Sequence, residues 1–210
     1  MEKKQISRRA QKTREQIRTA AQELFLRHGF SGASTDAIMT QAGIASKETL
    51  YRYYTNKEEL FIDVLRHLTV EHPRHQLFQE GVPTPTSREE LRAALLWIAN
   101  ELLGIMTQPD YQALLRVLFG DVVRFPHLGN LFWSTVPERG MAAINELLMK
   151  AEAQQVIKDV DREAIVRMLL GSLLTYMLYN VVLRIDGEQV IPSPTRIEAI
   201  IDTLMKAMAA

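Results

Sequence analysis

Between Thr13 and Leu60 the chain has to fold back on itself repeatedly within fifty residues, because its apolar residues fall into four short runs at helical spacing, separated by glycine and by small polar residues. Ile17, Ala20, Ala21, Leu24 and Phe25 make one stripe of a first helix, and Gly29 ends it by tolerating a left-handed backbone. Ser34 or Thr35 can cap a second helix with Ile38, Met39 and Ala42 inside. Gly43 supplies a tight turn. Ser46 can cap a third helix that carries Leu50, Tyr51 and Tyr54 inward. Asn56, with Glu59 in the reciprocating position, can cap a fourth, whose stripe is Leu60, Phe61, Val64, Leu65 and Leu68 and which Pro73 ends. Three short helices, the last two joined by a Gly-centred turn, have the layout of a helix-turn-helix that reads DNA.

A recognition helix needs an apolar face to hold it and short polar or basic side chains on the other. The third helix has both. Ser46, Lys47, Thr49 and Arg52 can point outward as donors, and Tyr53 can face either way. Thr35, at a helix start, can offer its hydroxyl and free backbone N–H groups to a phosphate. Lys57, in the first turn of the fourth helix, can reach a neighbouring phosphate, as can the hydroxyl of Tyr51. Arg8, Arg9, Lys12 and Arg14 form a basic arm after a frayed, charged amino end. The charge distribution agrees. The whole chain is formally neutral, yet residues 1–60 hold 11 Lys and Arg against 7 Asp and Glu, and residues 61–210 hold 14 against 18. Lys47 and Arg52 also fit a merely solvated face, and the arm also fits diffuse attraction. A generic three-helix unit has no packing need for Thr35, Gly43, Tyr51 and Lys57 at this spacing.

On these residues the segment resembles the amino-terminal domain of the tetracycline-repressor (TetR) family. Leu24-Phe25 followed by Gly29-Phe30, Thr35, Ile38, Ala42-Gly43-Ile44, Thr49-Leu50-Tyr51, Tyr53-Tyr54 and Lys57-Glu58-x-Leu60-Phe61 follow the family pattern in order. The match covers about 50 residues. Ala45-Ser46-Lys47-Glu48 departs from it by one extra residue before Thr49, which bears on the residue that caps the third helix. The resemblance implies a homodimer on a pseudo-palindromic double-stranded DNA operator, a small effector held in a helical second domain, and repression relieved by that effector. Arg124-Phe125-Pro126-His127-Leu128 with Phe132 and Trp133 resembles the junction of the sixth and seventh helices in one subgroup.

Beyond Pro73 the patterning stays helical. Pro73, Gly81, Pro83 and Pro85 mark a loop, and Ser87 with Glu90 is a capping box that opens a helix through Ile105. A helix from Pro109 ends at Phe125-Pro126. The next covers about His127 to Gln155, with a kink or break expected at Pro137 and Gly140. Two more run from about Asp161 to Arg184 and from about Thr195 to Met208. No alternating strand pattern occurs, so the expectation is an all-α chain of about nine helices: residues 1–60 the DNA-binding domain, residues 61–210 a helical effector-binding and dimerisation domain.

In that second part, His67, Trp97, Met106, Tyr111, Phe119, Phe132, Trp133, Met168, Tyr176 and Met177 are the candidate effector contacts. Any one of them also fits an ordinary core. Such a set implies an apolar or aromatic ligand with one or two polar anchors, such as His67 or Tyr176. The run Met168–Leu183 is uncharged over 16 residues, too short for a membrane span and suited to a helix buried on both sides. With the stripe on the last helix it offers a four-helix dimer interface, for which Leu173, Met177, Ile197, Ile201, Leu204 and Met208 are the candidates. No cysteine occurs, which excludes disulfides and fits a reducing cytoplasm. Glu71, His72 and His75 straddle a proline with poor metal-ligand spacing, so neither metal nor cofactor is expected. No nucleophile or acid–base constellation suggests an enzyme. The rival reading is an architectural DNA binder that needs no ligand.

Overall fold

The computed structural model describes residues 8–69, 71, 81–158, 160–181 and 191–208. All regular secondary structure among the described residues is helical, with no strand. The helices are α1 (Arg8–Gly32), α2 (Thr35–Ala42), α3 (Lys47–Tyr51), α4 (Lys57–Leu68), α5 (Arg88–Met106), α6 (Pro109–Asp121), α7 (His127–Trp133), α8 (Val136–Ala153), α9 (Arg162–Val181) and α10 (Pro194–Ala207). Among the described residues there is one more helix than the sequence pattern suggests. The long segment from His127 divides at Ser134–Thr135, where Thr135 has backbone angles outside the helical region. Pro137 then sits in the first turn of α8, where its missing N–H costs nothing. Gly140 does not interrupt α8 at all. A Cβ there would lie 3.2 Å from a Leu102 methyl, so the glycine lets α8 approach α5 closely.

α1 begins at Arg8, so Arg8, Arg9 and Lys12 project from a helix and do not form a loose arm. The helix breaks at Gly29 (φ 72°, ψ 175°) and re-enters one further turn, Phe30–Gly32. α1 packs on α2 and α4 on one side and on α6 on the other, which makes it the shared wall between the amino-terminal helices and the rest. Phe25, Phe30 and Phe61 are fully buried there, with Phe61 edge-on to the other two at centroid distances of 5.0 and 5.5 Å. Phe125, beyond the end of α6, meets Phe30 edge-on at 5.3 Å, so this aromatic core bridges the two parts.

α5 packs against α8, α9 and α10, and α9 lies against α6, α8 and α10. α10 is tied down by Arg92 on Asp202 at 2.6 Å and by Arg88 on the Met205 carbonyl. No described helix is long and apolar enough to cross a membrane.

Candidate nucleic-acid interface and effector cavity

The α2–α3 unit is built by its caps. Ser34, in extended backbone, accepts the Ala37 N–H at 3.1 Å, so it is the cap and Thr35 the first helical residue. Gly43 ends α2 in the left-handed region (φ 67°, ψ 35°), its N–H returning to the Met39 and Thr40 carbonyls. Ser46 caps α3 by accepting the Thr49 N–H at 3.2 Å, which answers the question raised by the extra residue in this stretch. Its hydroxyl also lies 3.0 Å from that of Thr49.

α3 is a single five-residue helix, and Leu50 on it and Tyr54 just beyond its end, four residues apart, turn to the same inner side. Leu50 and Tyr54 are therefore buried, at 2 % and 3 % exposed. Tyr51, expected inward, is 50 % exposed, because one residue along a helix is a rotation of about 100°. Lys47 and Arg52 are exposed, Thr49 and Tyr53 half-buried. Lys47 sits 2.9 Å from Asp36 on α2, and Arg52 3.6 Å from Glu48, both exposed pairs that a phosphate can displace at little cost.

Behind α3, Tyr54 donates its hydroxyl to Asp63 at 2.7 Å. Arg14 holds the other Asp63 oxygen, and Arg18 lies 3.9 Å away. Burial and the Asp63 carboxylate together push the Tyr54 phenol well above the usual tyrosine range. Thus α1, α3 and α4 are locked through one buried carboxylate, and Arg14 is committed to it instead of to a basic arm. Asn56 caps α4, accepting the Glu59 N–H at 2.8 Å. Lys57 donates to the Phe30 carbonyl at 2.8 Å and lies 4.4 Å from that ring's centroid. Burial holds its ammonium below the ordinary lysine range. Thr35, Tyr51, Asn56 and Lys57, from three helices, border one small apolar gap together with the buried Leu50, Tyr54 and Leu60. Thr35, Tyr51 and Lys57, the three residues expected at phosphates, are thus neighbours, with the Lys57 ammonium turned to the Phe30 carbonyl.

The second feature is a cavity of about 530 Å3, lined by α5, α6, α7, α8 and α9. Six expected residues line it: Met106, Tyr111, Phe119, Phe132, Trp133 and Met177. His67, Trp97, Met168 and Tyr176 do not. Met168 and Tyr176 fall on other faces of α9 than Arg167, Leu170, Leu174 and Leu178, which do line the cavity. Trp97 packs against the core of the helical body, and His67 lies at the end of α4. Helical spacing marks apolar residues without saying which neighbour a given face meets, so these four carried no signal that separated cavity from core. Leu102, Pro137, Met141 and Thr175 were missed for the same reason. Arg167 was missed too, although a sequence signal existed: it is the last charge before the long uncharged run of α9. Phe119, Trp133, Leu174 and Leu178 are partly exposed and form the rim.

Cavity and helix-turn-helix meet through α6 and α7. Asp121, the last residue of α6, accepts the Phe30 N–H at 3.0 Å, the Ser31 N–H at 3.3 Å and the Ser31 hydroxyl at 2.7 Å. Those N–H groups begin the short turn after the Gly29 break and have no earlier carbonyl to bond. His127, opening α7, lies 3.3 Å from Glu58 of α4. Sequence reading did not find Asp121.

The six residues expected at a dimer contact are all buried within the single chain: Leu173 and Ile201 at 0 %, Met208 1 %, Leu204 2 %, Ile197 5 % and Met177 8 % exposed. The apolar stripe of α10 faces α5 and α9 of its own chain. What stays open on this side is a groove between α9 and α10, lined by Met168, Ser172, Arg196, Ala199, Ile200 and Thr203 with Leu204 at its floor; two turns beyond Ser172 on α9, Tyr179 is 58 % exposed. Among the described residues no cluster of three or more His, Asp or Glu is arranged to hold a metal. His72 and His75 lie outside the described residues.

Residues 17–64 match the family of bacterial regulatory proteins, tetR family, and residues 93–210 match the AefR-like transcriptional repressor C-terminal domain. The HTH-type transcriptional repressor SCO4008 of Streptomyces coelicolor is 31 % identical over 113 residues, 54 % of this chain and 51 % of that protein. The HTH-type transcriptional repressor NicS of Pseudomonas putida is 37 % identical over 62 residues, 30 % of this chain and 29 % of that protein. The chain thus spans about half or less of these curated relatives. Among solved structures, the flavonoid-responsive regulator FrrA superposes with a TM-score of 0.69 at 29 % identity, covering 94 % of this chain and 97 % of that one. A TetR transcriptional regulator from Agrobacterium tumefaciens gives 0.69 at 19 % identity, covering 92 % and 93 %, which speaks for the fold alone. With both halves matched and the helix-turn-helix formed as its sequence requires, this chain belongs to the TetR family of transcriptional regulators.

Proposed function

We propose that this protein is a repressor that binds a pseudo-palindromic operator as a homodimer and leaves it when a small apolar effector fills the cavity. One observation carries the reading: the helices that line the cavity with Phe119, Phe132 and Trp133 also end or begin on the helix-turn-helix unit, through Asp121 and His127. A molecule that moves α6 or α7 therefore has a direct mechanical route to the reading head, and the shift is one of population between two states. The description of FrrA as flavonoid-responsive supports a small aromatic effector.

On DNA, α3 enters the major groove with Lys47, Thr49 and Arg52 outward. Thr35, Tyr51 and Lys57 hold phosphates on one side of it, the division between positioning and reading that such units use. The second copy docks along the α9–α10 groove, where Met168, Ile200 and Tyr179 leave apolar surface uncovered.

The test is selection of binding sites from random DNA by the purified protein, repeated with apolar aromatic compounds present. Recovery of a two-fold symmetric site, lost on adding a compound that binds the cavity, is the expected result. A sequence-indifferent footprint with no response to any cavity-binding compound would instead mark an architectural DNA binder.

A further inference from the structure

We infer that the effector is an anion: an apolar, largely aromatic body with a single acidic group, held by the Arg167 guanidinium at the cavity rim and by the Tyr111 hydroxyl in the wall. The inference rests on reading the cavity as the effector site and adds the chemistry of what enters it.

The wall itself points to this class. Of the fifteen residues that line the cavity, Arg167 alone is charged, and none is Asp or Glu. A cation entering such a space would lose its hydration and meet no carboxylate in the wall. An anion meets a guanidinium. Arg167 is also accessible for this task. Its partner is Glu163, one helical turn away and on the surface, and the pair uses only Nε and Nη2, at 2.8 and 2.6 Å from one Glu163 oxygen. An exposed pair of this kind is worth little, so a carboxylate at the rim can share or displace it and form a charge-assisted bond of its own.

Tyr111 supplies the second anchor. It is 2 % exposed, it lines the cavity, and its hydroxyl makes no hydrogen bond among the described residues. Burial alone pushes its phenol well above the usual tyrosine range, so at neutral pH it is a proton donor. A hydroxyl that faces the cavity with no protein partner is a donor that a ligand acceptor can take up. Thr175, the other hydroxyl in the wall, already donates to the Ser172 carbonyl at 2.8 Å and offers only lone pairs. The anchors present donors, and a ligand that fits them carries acceptors.

Three probes with one body separate the possibilities: biphenyl-4-carboxylate, biphenyl-4-carboxamide and biphenyl-4-ylmethylammonium. Trp97→Phe leaves Trp133 on the rim as the only indole, and its fluorescence reports binding at this cavity. The carboxylate should bind at least tenfold more tightly than the amide, and the ammonium most weakly. Arg167→Gln should bring the carboxylate down to the affinity of the amide, and Arg167→Lys should restore part of the difference. Tyr111→Phe should weaken carboxylate and amide alike, about three- to tenfold. It should leave the free protein's melting temperature unchanged or higher, a combination that a purely structural tyrosine would not give. Equal binding of all three probes, or an Arg167→Gln protein that keeps the preference, overturns the anionic effector and leaves the cavity as an effector site. No binding of any probe at millimolar concentration overturns both.

Discussion

Gly29 shows at the level of one residue how the reading head is joined to its controller. Its φ of 72° with ψ of 175° is open to glycine at no cost and strained for any other residue. The break it creates leaves the Phe30 and Ser31 N–H groups free for Asp121. Gly29→Ala should destabilise the protein by roughly 1–3 kcal/mol, measured by urea unfolding; a change below a few tenths would mean that the break is not required. Lys57 and Arg52 should differ on DNA. Lys57→Ala should weaken binding to all sequences alike and lower the salt slope by about one unit. Arg52→Ala should cost roughly 1–3 kcal/mol on the selected operator and relax one base pair, and equal losses on operator and random DNA would show that Arg52 reads no base. Because Lys57 also holds the Phe30 carbonyl, its variant should melt earlier as well. Much of this was legible in the chain. Ser46, Asn56 and Gly43 act through local geometry, and local geometry is what short-range sequence specifies. Tyr51 was misplaced because a five-residue helix is too short for periodicity to define its inner face. Asp63 gave a readable signal, a lone carboxylate between Ile62 and Val64, but its partners Arg14 and Tyr54 come from other helices.

At the level of helices, α9 and α10 separate apolar character from availability. The sequence marks α9 as apolar all round and gives α10 one stripe, and both descriptions hold. Neither says which part of that surface the chain keeps for itself. The answer depends on long-range packing: the α10 stripe is buried against α5 and α9, and Arg92 with Asp202 and Arg88 with the Met205 carbonyl span the same α5–α10 contact. The two kinds of position should respond differently to a charge. Leu204→Glu buries an unpaired carboxylate, and most of the chain should fail to fold or melt well below the wild type. Met168→Glu lies on the open side, so the chain should fold normally but sediment as a monomer and lose affinity for the operator. A folded Met168→Glu protein that remains dimeric at micromolar concentration would move the subunit contact off this groove. The α7–α8 break followed the same logic. Proline announced it, but its position at Ser134–Thr135 was fixed by where Pro137 could enter a first turn.

For the molecule as a whole, effector and operator communicate only if cavity and reading head share parts that have two arrangements. The shared parts on view are few: the Asp121 carboxylate on the Phe30–Ser31 turn, Phe125 on the Phe30 ring, and His127 beside Glu58. Asp121 is the most direct, since it closes α6 and α6 carries Tyr111 and Phe119 in the cavity wall. Asp121→Ala removes three hydrogen bonds at the joint and touches neither the cavity nor α3. Affinity for biphenyl-4-carboxylate without DNA should therefore stay within about twofold of the wild type. The coupling should fall instead. Allosteric couplings are typically about 1–3 kcal/mol, a 5- to 150-fold change in operator affinity on effector binding. In Asp121→Ala that factor should drop at least threefold, and not to one, because the Phe125 and His127 contacts remain. Linkage makes the measurement self-checking: operator dissociation constants with and without the carboxylate, and carboxylate constants with and without operator, must yield the same factor. A folded Asp121→Ala protein with wild-type coupling in both cycles would place the route elsewhere, through Phe125 and α7.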